Sequence, residues 1–390
     1  MKTTKPSEIN KEAFDEIFID YTKEPYNTVM NKNIKIAFII DLNNQFYGSN
    51  PSFRSIFSLC RAMKTLGFDC YTIGYYDMIF FNIDKEYHNL IPGTFLIFLR
   101  KFVHFRLVNP FINIIEFKKF PLWFKEKHID VVFLSWPFIN IIQAAKHSNC
   151  KVIYWDVEAP DVIKPKSKIF MELASNCDLI LTYGKNNRKL WREAGSIRVE
   201  EFLHFYDPIY FYKKFTTKNL PISFIGSYSL VKLEKFIKYL FPLVKTFPYK
   251  VHVFGNDLWK RSSIYKYIIY HGQITWYLMN DIFNSTKINL NFSSQLQSAY
   301  GCLNARIFEV LGSGSFLITD KVDGIENYFE NKKEIVLIEE SNDLVDLVSY
   351  YLFNDEEREV IAEKGYKKVS EHHTVYDRAK YLAKLIYNIL

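Results

Sequence analysis

Glycine is scarce in this 390-residue chain, with 14 residues, and no GxGxxG occurs. That excludes the dinucleotide fingerprint, whose glycines serve a tight turn, a close phosphate approach and helix packing. Cysteine is scarcer still. Cys60, Cys70, Cys150, Cys177 and Cys302 are scattered, none in a CxxC pair. An odd, dispersed set argues against a disulfide framework and points to a reducing compartment. The opening MKTTKPSEINKEAF lacks the apolar core of a signal peptide. No run reaches the roughly 18 to 20 apolar residues of a membrane span. The expectation is a cytoplasmic protein, soluble or peripheral at the inner face of a membrane. The net charge of +7 suits mild attraction to phosphates or anionic lipid, but is too small for a nucleic-acid footprint.

What is present is an ordinary globular composition, 48% hydrophobic and 24% charged. The length calls for more than one domain. Residues 1–32 form a polar N-terminal extension whose Phe14, Ile17, Phe18 and Tyr21 have helical spacing. From Asn33, short apolar runs alternate with helical patterns: NIKIAFIIDL, a helix from Arg54 to Leu66, then Asp69 to Gly74, and later DVVFLS, KVIYW, CDLILT and Val199 to Phe205. This βαβ alternation predicts a parallel α/β sheet over 33–206. The stretch 207–220 reads as a linker. The pattern restarts at ISFIG and continues through YKVHVFG, a helical region, INLNF and IVLIEE, predicting a second α/β domain over 221–372. A closing helix over 373–390 is a candidate for packing back on the first domain.

The densest stretch runs from Ile288 to Asp320, INLNFSSQLQSAYGCLNARIFEVLGSGSFLITD. It reads as strand, polar loop over Ser293–Gly301, helix over Asn304–Leu311, two glycines and a second strand. A loop ending on a helix N-terminus near Leu303 offers free N–H groups to a phosphate. Glu309 and Arg306 lie close behind, suited to hydroxyls and an anion. Gly226 allows close backbone approach, and Lys232, at a helix start, is a point charge for phosphate. In the first half, Asn43, Asn44 and Gly48 lie in the loop after the first strand, which faces a ligand crevice. Asp156 and Glu158 follow a strand directly; a DxE pair can hold a divalent metal, or simply cap a helix. His372-His373 has no evident third ligand, and no metal is expected. Residues 89–127 carry seven basic and two acidic side chains among aliphatics and aromatics, a pattern of a membrane surface or of a packed helical excursion.

Four segments, ISFIGSYSLVK, GQITWYLMNDIFNSTKINLNFS, ARIFEVLGSGSFLITD and EHHTVYDRA, resemble in order the GT-B glycosyltransferases of the CgeB-like (spore maturation protein B-like) group with a glycosyl transferases group 1 C-terminal domain. The likeness covers most of 150–390. It implies two Rossmann-like domains facing a central cleft, no cofactor, and a nucleotide-sugar held mainly by the C-terminal domain. Glu309 then matches the glutamate on ribose or sugar hydroxyls, and Arg306 the arginine of an R-x-F-E segment. Lys232 stands where the family usually has arginine near the phosphates. Gly272 to Tyr277, including Trp276, borders the base. Ser293, Ser294, Tyr300, Gly301, Leu303 and Asn304 complete the donor loop. Retaining relatives often carry a second glutamate eight positions before the first; here that position is Gly301.

The implied activity is transfer of a sugar from a nucleotide-diphosphate sugar, a UDP-sugar first among donors, to a glycan, lipid-linked or protein hydroxyl in cell-surface glycan or glycoconjugate synthesis. No nucleic acid is implied. A catalytic base must come from the first domain, where Asp41, Asp77, Asp156 and Glu158 are candidates. The rivals are a metal-dependent GT-A-type transferase using Asp156 and Glu158, a non-catalytic nucleotide- or glycan-binding protein, and a nucleotide-sugar epimerase.

Overall fold

The computed structural model describes residues 33–40, 51–74, 119–157, 163–340 and 343–390. Two six-stranded, all-parallel sheets organise the chain. The first contains β1 (Lys35–Ile40), β2 (Asp69–Gly74), β3 (Val131–Leu134), β4 (Lys151–Asp156), β5 (Leu179–Thr182) and β6 (Val199–Glu201), in the order β2-β1-β3-β4-β5-β6. The second contains β7 (Leu220–Ile225), β8 (Val251–Phe254), β9 (Ile269–Gly272), β10 (Thr286–Asn291), β11 (Leu317–Asp320) and β12 (Val336–Ile338), in the order β12-β11-β10-β7-β8-β9.

The central strands are apolar on both faces because helices cover both sides of a parallel sheet. VVFL and LILT are wholly buried. In the first core Trp191 stacks on Phe170 with centroids 3.8 Å apart. In the second, Trp259 sits among Phe224, Tyr228 and Phe236. All five cysteines are buried free thiols. No helix among the described residues is long and apolar enough to cross a membrane.

Strand order locates the ligand crevices. In the second sheet, connections run from β7 towards β9 on one side and from β10 towards β12 on the other. The direction reverses between β7 and β10, the place where open α/β sheets bind ligands at their carboxyl ends. In the first sheet the reversal lies between β1 and β3.

Two local expectations are corrected. The interval before β10 is not only helical: it contains β9, an edge strand. The polar loop over 293–301 contains a helix, Gln295–Tyr300, started by a reciprocal capping box between Ser294 and Gln297.

The chain crosses between the halves and returns. After β6 it runs through Phe202–Asp207 to the second sheet. At the far end the helix Val375–Tyr387 packs on the helix Pro51–Thr65, where Arg61 donates to the Tyr376 hydroxyl at 3.1 Å. The outgoing and returning segments pair beside each other: Tyr206 N–H donates to the His373 carbonyl at 3.2 Å, and Val375 N–H to the Tyr206 carbonyl at 2.9 Å.

Candidate active site

The carboxyl ends of β7, β10 and β11 converge on one cluster. Asp320 ends β11 and is fully buried. One of its oxygens accepts from Ser293 N–H at 2.8 Å. The other accepts from the Ser298 hydroxyl at 3.2 Å and pairs with Lys235 at 3.1 Å. Burial raises the Asp320 carboxyl above its usual range, against the opposing pull of Lys235, Ser293 N–H and nearby Lys232. Asp320 thus anchors the loop after β10, and Lys232 brings a second cation to the same edge.

Glu309 lies on the helix Ala305–Gly312, whose N-cap Asn304 accepts from Arg306 N–H. Asn304 also reaches the Ser293 hydroxyl at 3.4 Å, joining the two loops. Arg306, three residues before Glu309 and on the same helix face, donates to its carboxylate at 2.7 Å. The other carboxylate oxygen is taken by Arg54, from the helix Pro51–Thr65 of the first half. Both guanidiniums also approach the Met279 sulfur, at 3.9 Å from Arg54 and 3.5 Å from Arg306. Arg54 lies 4.9 Å over the Phe211 ring and Arg306 5.5 Å over Phe283. Burial, only partly offset by Glu309 and reinforced by Arg54, holds the Arg306 guanidinium below its ordinary value.

Of the other donor residues, Ser293, Ser294 and Leu303 are buried, and Tyr300 is half-buried. Gly301 caps the helix Gln295–Tyr300 at φ +71°, and an added Cβ there would sit 2.9 Å from the Asp323 carbonyl. The missing carboxylate position is therefore a left-handed turn, which glycine accepts and glutamate resists. Gly226 follows β7, its carbonyl held by the Trp259 indole at 2.9 Å. Gly272 ends β9 at φ +81°. Trp276 is half-buried against Tyr210, and Tyr277 is exposed.

On the first sheet, Asp156 is fully buried at the end of β4 and accepts from the Trp191 indole at 2.7 Å. Asp41, Asn43, Asn44, Gly48, Asp77, Glu158 and residues 89–118 lie outside the described residues. No group of three potential metal-ligating side chains occurs among the described residues. The two halves touch directly: Gly184 pairs with Cys302 across a bridge, and Asn186 donates to Asp323 at 2.7 Å.

Sequence reasoning did not single out Arg54, Lys235, Asp320 or His204. Asp320 carried a signal, a lone acid closing an apolar strand beside the donor stretch. Arg54 carried none. His204 is buried between Trp155 and Tyr183, and its Nδ1 has no hydrogen-bond partner.

Residues 235–384 match a family described as glycosyl transferase-like. No curated protein matches the chain. Among solved structures, sucrose-phosphate synthase from Thermosynechococcus elongatus is 11% identical, with a TM-score of 0.64 over 92% of this chain and 99% of that one. Anabaena Alr3699/HepE in complex with UDP-glucose is 12% identical, with a TM-score of 0.64 over 91% and 100%. The lipopolysaccharide outer core galactosyltransferase WaaB is 14% identical, with a TM-score of 0.56 over 92% and 100%. The fold is α/β with the GT-B architecture, two Rossmann-like halves, and not the single-sheet GT-A arrangement entertained from Asp156 and Glu158.

Proposed function

We propose that the protein is a glycosyltransferase that moves a sugar from a nucleotide-diphosphate sugar to a hydroxyl acceptor. The observation that carries this is the convergence, at the β7/β10 switch point, of lysines, a pinned polar loop and the Arg306–Glu309 pair. The UDP-glucose in the HepE structure and the galactosyltransferase title of WaaB support a UDP-sugar as the first donor to test. The CgeB-like group is the finer family reading.

In this mechanism the diphosphate leaves as an anion. Lys232, Arg306 and the N-terminal end of the helix Ala305–Gly312, next to Leu303, oppose its growing charge, while Ser293 and Ser294, their N–H groups held by Asp320 and Gln297, shape the loop beside it. Glu309 takes ribose or sugar hydroxyls, Gly226 allows the donor close to the backbone, and Gly272, Trp276 and Tyr277 border the base. The acceptor enters from the first sheet, whose carboxyl edge supplies the base. Asp41 and Glu158 are the leading choices there, because Asp156 is engaged by Trp191 in the core. The basic and aromatic composition of residues 89–127 supports a lipid-linked or membrane-proximal acceptor; absence of binding to anionic liposomes at low salt removes that part.

A thermal-shift screen against UDP, GDP, TDP and CMP tests the donor reading. A ligand at about 100 times its Kd stabilises the native state by about 2.7 kcal/mol. A shift with one nucleotide names the donor class; no shift with any overturns the proposal. Transfer lost in Glu309→Ala and Lys232→Ala, both folded, separates an enzyme from a binding protein, and a product formed without acceptor would mark an epimerase.

A further inference from the structure

The helical run that follows β7 is apolar on its outer side as well as its inner one. It is continuous from Leu230 to Thr246: a 3-10 turn (Leu230–Lys232), an α turn (Leu233–Lys235), a π turn (Phe236–Leu240) and an α-helix (Phe241–Thr246). Phe236, Tyr239, Leu240, Leu243 and Val244 are buried in the core of the second half. Leu230, Val231 and Ile237 face outward and are 83%, 50% and 61% exposed. Leu230 and Ile237, seven residues and two turns apart, lie on one stripe. A helix that is apolar all round is normally covered on both sides. Exposed aliphatics grouped in this way mark a contact surface.

The charges along the run narrow down what covers it. Lys238 lies 5.1 Å from the centre of the Tyr239 ring, and Lys245 4.7 Å from that of Phe241. Tyr267 packs edge-on against Phe241 and carries Lys266 at 5.1 Å. Three exposed lysines thus rest on aromatic rings, and among the described residues none of them pairs with a carboxylate. Glu234 is the one acid of the run. A second copy of the chain would set these lysines against their own kind. An anionic bilayer takes both parts: its acyl boundary receives the aliphatics, and its headgroup phosphates the lysines. Aromatic rings suit the level between the two.

We propose that the outer face of the run Leu230–Thr246 is a docking surface for an anionic lipid bilayer, with Leu230, Val231 and Ile237 entering the headgroup boundary and Lys238, Lys245 and Lys266 meeting lipid phosphates. The surface belongs to the second half, is separate from residues 89–127, and does not depend on which donor the protein binds. Lys232 closes the same 3-10 turn that carries Leu230 and Val231, so a bilayer seated there lies next to the donor edge of the second sheet.

The test is co-sedimentation of the full chain at low salt with vesicles of phosphatidylcholine alone and of phosphatidylcholine with phosphatidylglycerol. Wild type is compared with Leu230→Ser combined with Ile237→Ser, and with Lys238→Gln combined with Lys245→Gln. Wild type should bind the anionic vesicles and not the neutral ones. Loss of the two aliphatics should weaken binding by about tenfold or more. Loss of the two lysines should weaken it by about 25-fold, near fivefold for each charge. If the serine pair fails to fold, the glutamine pair carries the same comparison. No binding by wild type, or equal binding to both vesicle types, overturns the proposal. So does binding that neither pair weakens, which places the contact elsewhere, as on residues 89–127. A wild-type dimer in analytical ultracentrifugation that Ile237→Ser splits overturns it in favour of a second copy.

Discussion

Two buried histidines set how the fold responds to acid. His204 is 5% exposed and His373 7%. Burial, then Arg378 and other cations, lowers each to about 3 from an ordinary 6.5. For His373 the geometry is explicit: Arg378 donates to its Nδ1 at 2.6 Å, which only an unprotonated nitrogen accepts. Both imidazoles are thus neutral when folded. In the unfolded chain they bind protons below about pH 6.5, so the unfolded state holds more protons and stability falls as pH drops from there towards 3. Moving from pH 7 to 5 costs about 2 kcal/mol per histidine, or about 4 for the pair, the slope approaching 1.4 kcal/mol per pH unit only below about pH 6. That is a large part of a typical 5–15 kcal/mol. Urea unfolding at pH 7 and pH 5 measures it. His204→Phe and His373→Asn should each remove about half of the pH-dependent loss, because neither side chain titrates there. A loss unchanged in both variants would falsify the assignment.

Other outcomes follow from single contacts. Asp320→Ala leaves Lys235 and Ser293 N–H unpartnered in the interior and should cost about 3–5 kcal/mol in urea unfolding, with weaker donor binding; a change below about 0.5 kcal/mol contradicts its anchoring role. Gly301→Glu forces a left-handed backbone onto a side chain and should destabilise by about 1–3 kcal/mol without raising transfer activity; a gain in activity would show that the family's glutamate can be restored here. Gly312→Ala places a Cβ 2.3 Å from the Tyr206 ring, so about 1–3 kcal/mol of overpacking should appear as a lower Tm.

The parallel strands were legible because β1, β3, β4 and β5 are short apolar runs closed by polar loops, and β10 alternates apolar and polar side chains. β9 was not. It pairs on one side only, with β8, and its Ile-Tyr-His-Gly side chains are half-exposed, so no apolar block marks it. Glu309 and Arg306 were legible because three residues on one helix fix their geometry. Arg54 was not, because its meaning lies in a partner 255 positions away, and spacing says nothing across two sheets. Gly301 was visible as a missing carboxylate; only the backbone shows it to be a turn.

The outgoing Tyr206 and the returning His373–Val375 lie hydrogen-bonded beside each other where the chain passes between the halves. A single strand there would be a tether, free to twist in any direction. Two segments joined by a pair of backbone hydrogen bonds cannot turn or slide past each other without breaking them. The crossing is thereby held twice, once along the chain and once across it, beside the contact that sets Arg54 of one half on Glu309 of the other.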